Sequence, residues 1–437
     1  ISGGKSKLVL KSLFRAKKSP IGAPRQMILG KLLDHATSET IDQALAVYMP
    51  GPNSFTGEDV VEFHLHGSPL LVQKVLRSLF AFGIAPAQPG EFSKRAFLNG
   101  KLDLAQVEAV ADLISASSER ALTVASEQLH GRLSRAIETI GEPLRDVLAE
   151  VEARIDFPEE EIEAHHWEGG RSKLRKVQES LTQLLRTYSY GHYIKEGYRV
   201  LLCGRPNVGK SSLLNALVGN QRAIVTAVSG TTRDLIEESV AIKGYEFVFC
   251  DSAGLRESDN EVEKIGIELA RSRIPWADLV LLIIDANDQE MDFQEVLDEL
   301  LGKAKKIWAV TNKIDLNQNV VGRLVCDSKY CAQNFYVSVK SGAGLDNLKA
   351  ALIEEVRAEL PDWGESSGVV TNERHKECLE RALTILSEIL KRNLEREHSE
   401  ILALDLRGSL SALEEIVGKT MTEDLLGRIF SKFCIGK

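Results

Sequence analysis

A chain of 437 residues is long enough for two or three domains, and its formal net charge of −9 excludes a global positive field for nucleic acids. Any contact with RNA therefore requires a local patch or a partner protein. The longest apolar run, residues 279–284, is too short to span a bilayer, and the six cysteines show no CxxC pair or zinc spacing. A reducing cytoplasm without membrane attachment is the expected compartment.

Residues 1–100 mix short apolar runs with turn signals and predict a compact α+β domain. The run 59–66 alternates like a half-buried strand, and residues 70–82 have helical spacing. From residue 101 to 196 the pattern is helical, with apolar residues stepping by three or four from Leu122 to Ile155. Pro143 is expected to kink or break that long helix.

Residues 197–357 read as an α/β unit, and helical spacing resumes over residues 358–437 after a Pro- and Gly-containing linker. The two helical blocks therefore flank the α/β unit. We interpret them as one helical domain with a nucleotide-binding domain inserted, since insertion is tolerated where the host's ends lie close together.

The α/β unit opens with a phosphate-binding pattern. An apolar strand over 198–203 precedes Gly204-x-x-x-x-Gly209-Lys210-Ser211, and apolar residues then recur at helical spacing. Glycines let backbone N–H groups surround phosphates at a helix N-terminus. The lysine reaches the β- and γ-phosphates, and the Ser211 hydroxyl can bind Mg²⁺. This stretch predicts a P-loop.

Three further motifs follow predicted strands and indicate guanine nucleotides. They are Asp251-Ser252-Ala253-Gly254 for Mg²⁺ and the γ-phosphate, Asn312-Lys313-Ile314-Asp315, and Ser338-Val339-Lys340 for the base. The Asp315 carboxylate can accept hydrogen bonds from N1–H and the 2-amino group of guanine, which adenine cannot supply. Four motifs in order, each after a strand, predict a Ras-like GTPase domain.

Hydrolysis requires an explanation, because Leu255 follows Gly254 where Ras-like enzymes carry a water-orienting glutamine. Asn207 in the P-loop and backbone carbonyls of the loop 227–234 can hold a monovalent cation beside the phosphates. Such a cation would supply the charge of an arginine finger. The alternative is that Asn207 only caps a turn.

The segments GRPNVGKSS, GTTRD, DSAGLR and NKID, with the final FCIGK, resemble the MnmE (TrmE) family of tRNA-modifying GTPases, in the TrmE-Era-EngA-YihA-Septin-like superfamily. The resemblance runs nearly end to end, through residues 51–62, 89–106 and 423–437. It implies a homodimer formed by the N-terminal domain, whose first strand precedes this chain. It also implies a partner, the flavoprotein MnmG (GidA), with which a carboxymethylaminomethyl or aminomethyl group is added to C5 of the wobble uridine of certain tRNAs.

The resemblance also implies site residues and cofactors. K⁺ would be held by Asn207, Thr226, Val228 and Thr231, Mg²⁺ by Ser211 and Thr232, and Glu263 would orient the water. A 5-formyltetrahydrofolate or 5,10-methylenetetrahydrofolate cofactor would contact Glu62, Lys101 and Lys437, and Cys434 matches the tail cysteine. Nucleotide contacts are expected at Asn207, Val208, Gly209, Lys210, Ser211, Ser212, Thr226, Ala227, Val228, Ser229, Gly230, Thr231, Thr232, Asp251, Ser252, Ala253, Gly254, Asn312, Lys313, Asp315, Ser338 and Lys340.

Two other functions compete with this one. A GTP-switched ribosome-assembly factor would act by binding alone, but the acidic balance and the lack of an appended RNA-binding module count against it. In the second competing function, residues 1–100 are a one-carbon enzyme that GTP regulates. Without the resemblance, Glu62 reads as a solvated strand position and Lys101 as an ordinary lysine at a helix start.

Overall fold

The computed structural model describes residues 1–156, 166–219, 237–251, 273–288, 290–322, 326–358, 368–392, 398–420, 423–431, 433 and 436. The chain divides into two compact units. The first contains Ile1–Ala111, Gln128–Gly170 and Thr384–Lys437, and the second contains Asp112–Glu127 and Arg171–Leu383. The domain boundaries at residues 100, 196 and 357 stay predictions from the sequence.

The first unit begins with a four-stranded antiparallel sheet in the order β1-β2-β3-β4. Its strands are β1 (Phe14–Arg15), β2 (Ile28–Leu33), β3 (Thr40–Met49) and β4 (Val60–His64), with helices α1 (Ser6–Leu13) and α2 (Pro69–Ala81). Val9 and Leu13 of α1 and Val75 of α2 share one core with Ala44 and Ala46 of β3. The sheet therefore buries one face against both helices. The strand predicted in 59–66 corresponds to β4, and the helix predicted in 70–82 corresponds to α2.

Helical segments follow, as the apolar spacing predicts. They are α3 (Glu91–Leu98), α4 (Leu104–Ser115), α5 (Glu119–Leu129), α6 (Arg132–Asp156) and α7 (His166–Glu196). Further along the chain lie α11 (Glu373–Lys391), α12 (Ser399–Val417) and α13 (Glu423–Ser431). Among the helical residues that the structure describes, no helix has the length and apolarity needed to cross a membrane.

Of the kink or break predicted at Pro143, the break is wrong, because α6 runs without interruption through that residue, and the kink stays a prediction. Ile140 and Leu144 on either side are buried, and Leu410 of α12 lies beside Gly141. Side-chain packing therefore maintains the helix across the missing N–H. The interruption lies at Gly131, whose φ of 77° is a left-handed value that favours glycine and ends a helix.

The second unit holds a six-stranded sheet in the order β10-β9-β8-β5-β7-β6, parallel except for β6. Its strands are β5 (Tyr198–Cys203), β6 (Glu237–Ile242), β7 (Tyr245–Asp251), β8 (Leu279–Asp285), β9 (Ile307–Asn312) and β10 (Gln333–Tyr336), and its helices include α8 (Lys210–Val218), α9 (Glu290–Leu300) and α10 (Leu345–Ala358). Alternate side chains of β5 enter two different cores. Both faces of the sheet are therefore covered, which confirms the Ras-like α/β class.

The position of β5 in this sheet determines where a ligand binds. Because β5 lies between β7 and β8, the strand order reverses there. In open parallel sheets, ligands bind beyond the carboxyl ends of the strands at such a reversal. The loop that leaves β5 at Cys203 is the predicted P-loop.

The cysteines of the second unit include a pair that the sequence analysis did not single out. Cys326 and Cys331 form a disulfide with an S–S distance of 2.15 Å, across a turn in which Asp327 accepts the backbone N–H of Cys331. A spacing of five residues carries no sequence signal, because only the turn brings the two sulfurs together. Cys203 and Cys250 are buried core residues, and burial raises the pKa of the Cys203 thiol to about 12.

Candidate nucleotide-binding site

The P-loop connects the end of β5 to the start of α8. The Lys210 side chain is 6% exposed, and its ammonium donates to the carbonyl oxygens of Gly204 and Arg205, each at 2.8 Å. The lysine therefore crosses the concave side of the loop, where phosphates are bound in such loops. The ammonium can exchange these two carbonyl oxygens for phosphate oxygens without leaving the loop.

Gly209 is needed where the P-loop meets the guanine motif. Its φ is 99°, and a Cβ added to it would lie 2.4 Å from Nδ2 of Asn312. The Asn312 amide donates to the carbonyl of Val208 at 2.9 Å, and its Oδ1 accepts the backbone N–H of Val339 at 3.3 Å. One buried side chain thus joins the P-loop, the end of β9 and the loop after β10.

The two residues expected to read the base lie on neighbouring strand ends. Ser338 is buried, and its hydroxyl donates to Oδ1 of Asp315 at 2.7 Å. Asp315 itself is exposed, as is Lys340. The hydrogen bond fixes the carboxylate while leaving acceptor capacity on its oxygens for the N–H groups of guanine.

Lys313 connects the guanine motif to the P-loop and to the end of β8. Its ammonium donates to the backbone carbonyl of Asn207 at 2.8 Å and lies 2.6 Å from Oδ2 of Asp285, the last residue of β8. Burial acts to raise the pKa of the Asp285 carboxyl, but the hydrogen bond and charge of Lys313, together with hydrogen bonds from Asn287, outweigh it and lower the pKa below its ordinary value. Asp285 was missed from the sequence, because its place beside the P-loop depends on β8 lying next to β5.

Ser211 and Asp251 form a pair of oxygen donors beside the phosphate loop. The Ser211 hydroxyl donates to Oδ2 of Asp251 at 2.6 Å, and Asp251 is 3% exposed. Mg²⁺ prefers such oxygens and takes its remaining ligands from water and phosphate. The described residues contain no group of three or more His, Cys, Asp or Glu side chains suited to a metal. The pair therefore fits a magnesium ion shared with a nucleotide.

Asn207 has a left-handed backbone, with φ of 64°, and its side chain is exposed. The backbone conformation agrees with a turn residue, and the exposed amide agrees with a cation ligand, so both interpretations stay open. Most of the remaining expected nucleotide and cation contacts lie outside the described residues. These are Thr226, Ala227, Val228, Ser229, Gly230, Thr231, Thr232, Ser252, Ala253, Gly254 and Glu263.

The expected folate positions belong to the first unit. Glu62 lies on β4 opposite Val47, with its side chain 53% exposed and 3.5 Å from His64 Nε2. Lys101 is exposed after α3, and its aliphatic chain lies against Gly57 in the loop before β4. Both residues therefore belong to elements next to that loop. Cys434 and Lys437 lie outside the described residues.

Comparison with known proteins identifies the family. Residues 1–101 match the family model described as the GTP-binding protein TrmE N-terminus, and residues 104–434 match the MnmE helical domain. The chain is similar to the tRNA modification GTPase MnmE of Aquifex aeolicus, with 43% identity over 98% of this chain and 94% of the relative. The MnmE proteins of Alkaliphilus oremlandii and Geobacter sulfurreducens are each 39% identical over 100% of this chain and 95% of their own length. The chain belongs to the MnmE family of tRNA modification GTPases.

Proposed function

We propose that this chain is a K⁺-stimulated GTP hydrolase of the cytoplasm that acts with the flavoprotein MnmG on the wobble uridine of certain tRNAs. The reaction adds a carboxymethylaminomethyl or aminomethyl group at C5, with a one-carbon unit from tetrahydrofolate. The observation that carries the proposal is the hydrogen-bonded connection of P-loop and guanine motif through Asn312. Membership of the MnmE family supports the tRNA substrate.

The nucleotide is held by residues of the second unit. The Lys210 ammonium moves from the carbonyls of Gly204 and Arg205 to the phosphates, and the carboxylate of Asp315 accepts the N–H groups of guanine. Ser211, with Asp251 beside it, would hold Mg²⁺ together with Thr232. These residues position the phosphates so that little further ordering is needed when hydrolysis begins.

Asn207, Thr226, Val228 and Thr231 are the proposed K⁺ ligands. When bound, K⁺ supplies positive charge at the phosphates, where negative charge develops during hydrolysis. Glu263 is the proposed residue that orients the attacking water, since Leu255 carries no group able to do so. Hydrolysis in this scheme is stimulated when two nucleotide-binding domains of a homodimer meet.

The folate cofactor is proposed to lie in the N-terminal domain against Glu62, Lys101 and Lys437. Glu62 and Lys101 offer a carboxylate and an ammonium on elements that border the same loop. Those two groups suit a ligand that has both hydrogen-bond donors and carboxylates. Cys434 is proposed to serve the same site from the chain's tail.

The test is a reconstituted reaction with MnmG, tRNA, GTP, a folate one-carbon donor and an amine donor. Mass spectrometry of the tRNA nucleosides should show the new C5 substituent only when both proteins and GTP are present. Lys210→Ala should abolish the product because the phosphates lose their cation, whereas Lys303→Ala, a change at an exposed lysine, should preserve it. A tRNA left unmodified by the complete mixture, with co-purification of ribosomal subunits instead of MnmG, would contradict the proposal.

A further inference from the structure

The charge of the chain is distributed unevenly. Residues 1–33 contain eight lysines and arginines and no aspartate or glutamate, although the whole chain has a net charge of −9. Six of these cations form what we call the basic N-terminal surface. Its members are Lys11, Arg15, Lys17, Lys18, Arg25 and Lys31, and all six side chains are exposed.

Direct contacts connect members of this surface. Arg15 of β1 pairs with Lys31 of β2 across the antiparallel ladder, so both side chains leave the same face of the sheet. The neighbouring pair, Phe14 and Leu32, is buried and lies on the opposite face. The Arg15 guanidinium also donates to the carbonyl of Lys11 at the end of α1. These three cations are thus contiguous.

The remaining members, Lys17, Lys18 and Arg25, lie in the loop between β1 and β2. The Lys18 ammonium donates to the side-chain oxygen of Gln26 at 3.0 Å, which brings both ends of this loop together. Arg25, next to Gln26, donates to the backbone carbonyl of Asn53. The Arg15, Lys18 and Arg25 side chains therefore donate to neutral oxygens.

Carboxylates do not neutralise this surface within the described chain. In the first 33 residues, the salt bridge found among described residues joins Lys7 to Asp59 at 3.0 Å, and Lys7 is not a member of the surface. Like charges directly opposite on two strands, as at Arg15 and Lys31, are destabilising. A surface that keeps such repulsion is suited to an external polyanion.

The neighbouring side chains favour RNA as that polyanion. Phe55 is 49% exposed two residues after Asn53, the contact of Arg25, and Met27 is 54% exposed beside Gln26. An exposed aromatic ring next to cations suits unpaired bases, which stack on aromatic faces while lysines and arginines neutralise phosphates. We propose that the basic N-terminal surface binds the phosphate backbone of the tRNA substrate. This inference rests on the proposed function.

The test compares two double charge reversals in the full-length chain. Lys17→Glu/Lys18→Glu changes the surface, and Lys303→Glu/Lys329→Glu makes the same charge change at two exposed lysines of the second unit. Fluorescence anisotropy of a labelled tRNA transcript gives the Kd over a KCl series. GTP hydrolysis without tRNA, expected to be unchanged in both variants, verifies that each is folded.

We expect the surface variant to lose tRNA affinity by about tenfold or more at ~0.1 M salt, with a shallower dependence of log Kd on log salt concentration. The control variant should bind like the parent, apart from the small loss that its altered net charge produces. Arg15→Gln/Lys31→Gln, which removes charge without reversing it, should give a loss of the same sign.

Three results would overturn the inference. Equal tRNA binding by the parent and both surface variants would exclude the surface, and so would a parent that shows no salt-dependent tRNA binding at all. If the surface variants bind tRNA normally but no longer bind MnmG, the surface binds an acidic protein instead of RNA. None of these results affects the nucleoside assay with the parent chain, so failure of this inference is distinguishable from failure of the proposed function.

Discussion

The Asn312 side chain shows how one residue can organise a nucleotide site. It is 2% exposed, donates to the carbonyl of Val208 and accepts the N–H of Val339. Replacing it with alanine leaves a buried carbonyl and a backbone N–H without their partner, at a cost of about 1–3 kcal/mol. The Asn312 side chain therefore contributes to the site geometry, and its removal should reduce nucleotide affinity.

We expect Asn312→Ala to weaken GDP binding by about 10–100-fold, which corresponds to about 1.4–2.8 kcal/mol. Titration with a fluorescent GDP analogue measures this change. Asn319→Ala, at an exposed position near the same motif, is the matched control and should bind GDP like the parent. An Asn312→Ala variant with parental affinity would show that the contacts to Val208 and Val339 do not organise the site.

Asp315 gives a prediction about base specificity. An Asp315→Asn variant offers an N–H where the carboxylate accepted one, so guanine loses a partner and xanthine, with an oxygen at C2, gains one. We expect GTP affinity to fall about 100-fold or more and binding of xanthosine triphosphate to increase. Competition binding with both nucleotides measures the exchange. Asp346→Asn, an exposed change in the first turn of α10, should alter neither affinity.

At the residue level, the sequence predicts the motif residues but not the contacts between them. The lysine of the guanine motif was identified from its pattern, whereas its hydrogen bond to Asn207 spans 106 residues and depends on the sheet order. Asp285 was missed for the same reason, because its role arises from β8 lying next to β5. Such contacts follow from topology, which the local pattern does not contain.

At the level of elements, the hairpin of β6 and β7 ends at Asp251, the first residue of the motif expected to bind Mg²⁺ and the γ-phosphate. Its turn packs on α5 within the second unit. Ser117 donates to the Glu246 carboxylate, and the Arg120 guanidinium lies 4.2 Å from the centroid of the Tyr245 ring. Burial raises the pKa of Glu246 above its ordinary value, although hydrogen bonds from Ser117 and Ser239 oppose the rise.

This raised pKa predicts how stability changes with pH. Between the unfolded value near 4.5 and the higher folded value, the folded chain holds more protons at Glu246 than the unfolded chain. The contribution of this group to stability therefore falls as pH rises through that window. Glu246→Gln should remove the fall and raise the Tm at pH 7 by about 1–2 °C. Thermal melts at several pH values measure this change in Tm, and the exposed change Glu354→Gln is the control. If Glu246→Gln leaves the dependence of Tm on pH unchanged, Glu246 is not the group responsible.

Elements differ in how well the sequence predicts them. The strand at 198–203 was predicted with its observed bounds because β5 is a short, mostly apolar run with a glycine-rich loop after it. The long helical segment was predicted correctly in type, but a kink or break was expected at Pro143 and the interruption at Gly131 was not predicted. The packing of α6 against α12 keeps the helix continuous through Pro143, and a left-handed backbone interrupts the segment at Gly131. Neither is contained in the apolar spacing.

At the scale of the whole molecule, the chain combines an acidic net charge with a basic N-terminal surface and a nucleotide site. The family resemblance was visible in the sequence because its motifs run through nearly the full length, and the family comparison confirms it. The roles of Asn207, Glu263 and the folate positions stay predictions. These roles concern the binding of K⁺, water and folate, and measurements of binding and activity test them.

The most direct measurement of the central claim is the steady-state rate of GTP hydrolysis in KCl and in NaCl at matched ionic strength. We expect hydrolysis in KCl to be faster by about tenfold or more, because the bound cation stabilises charge that develops at the phosphates. Asn207→Ala should lose this preference, and Asn319→Ala should keep it. Equal rates in the two salts, or a preference that survives Asn207→Ala, would contradict the account and leave Asn207 as a turn residue.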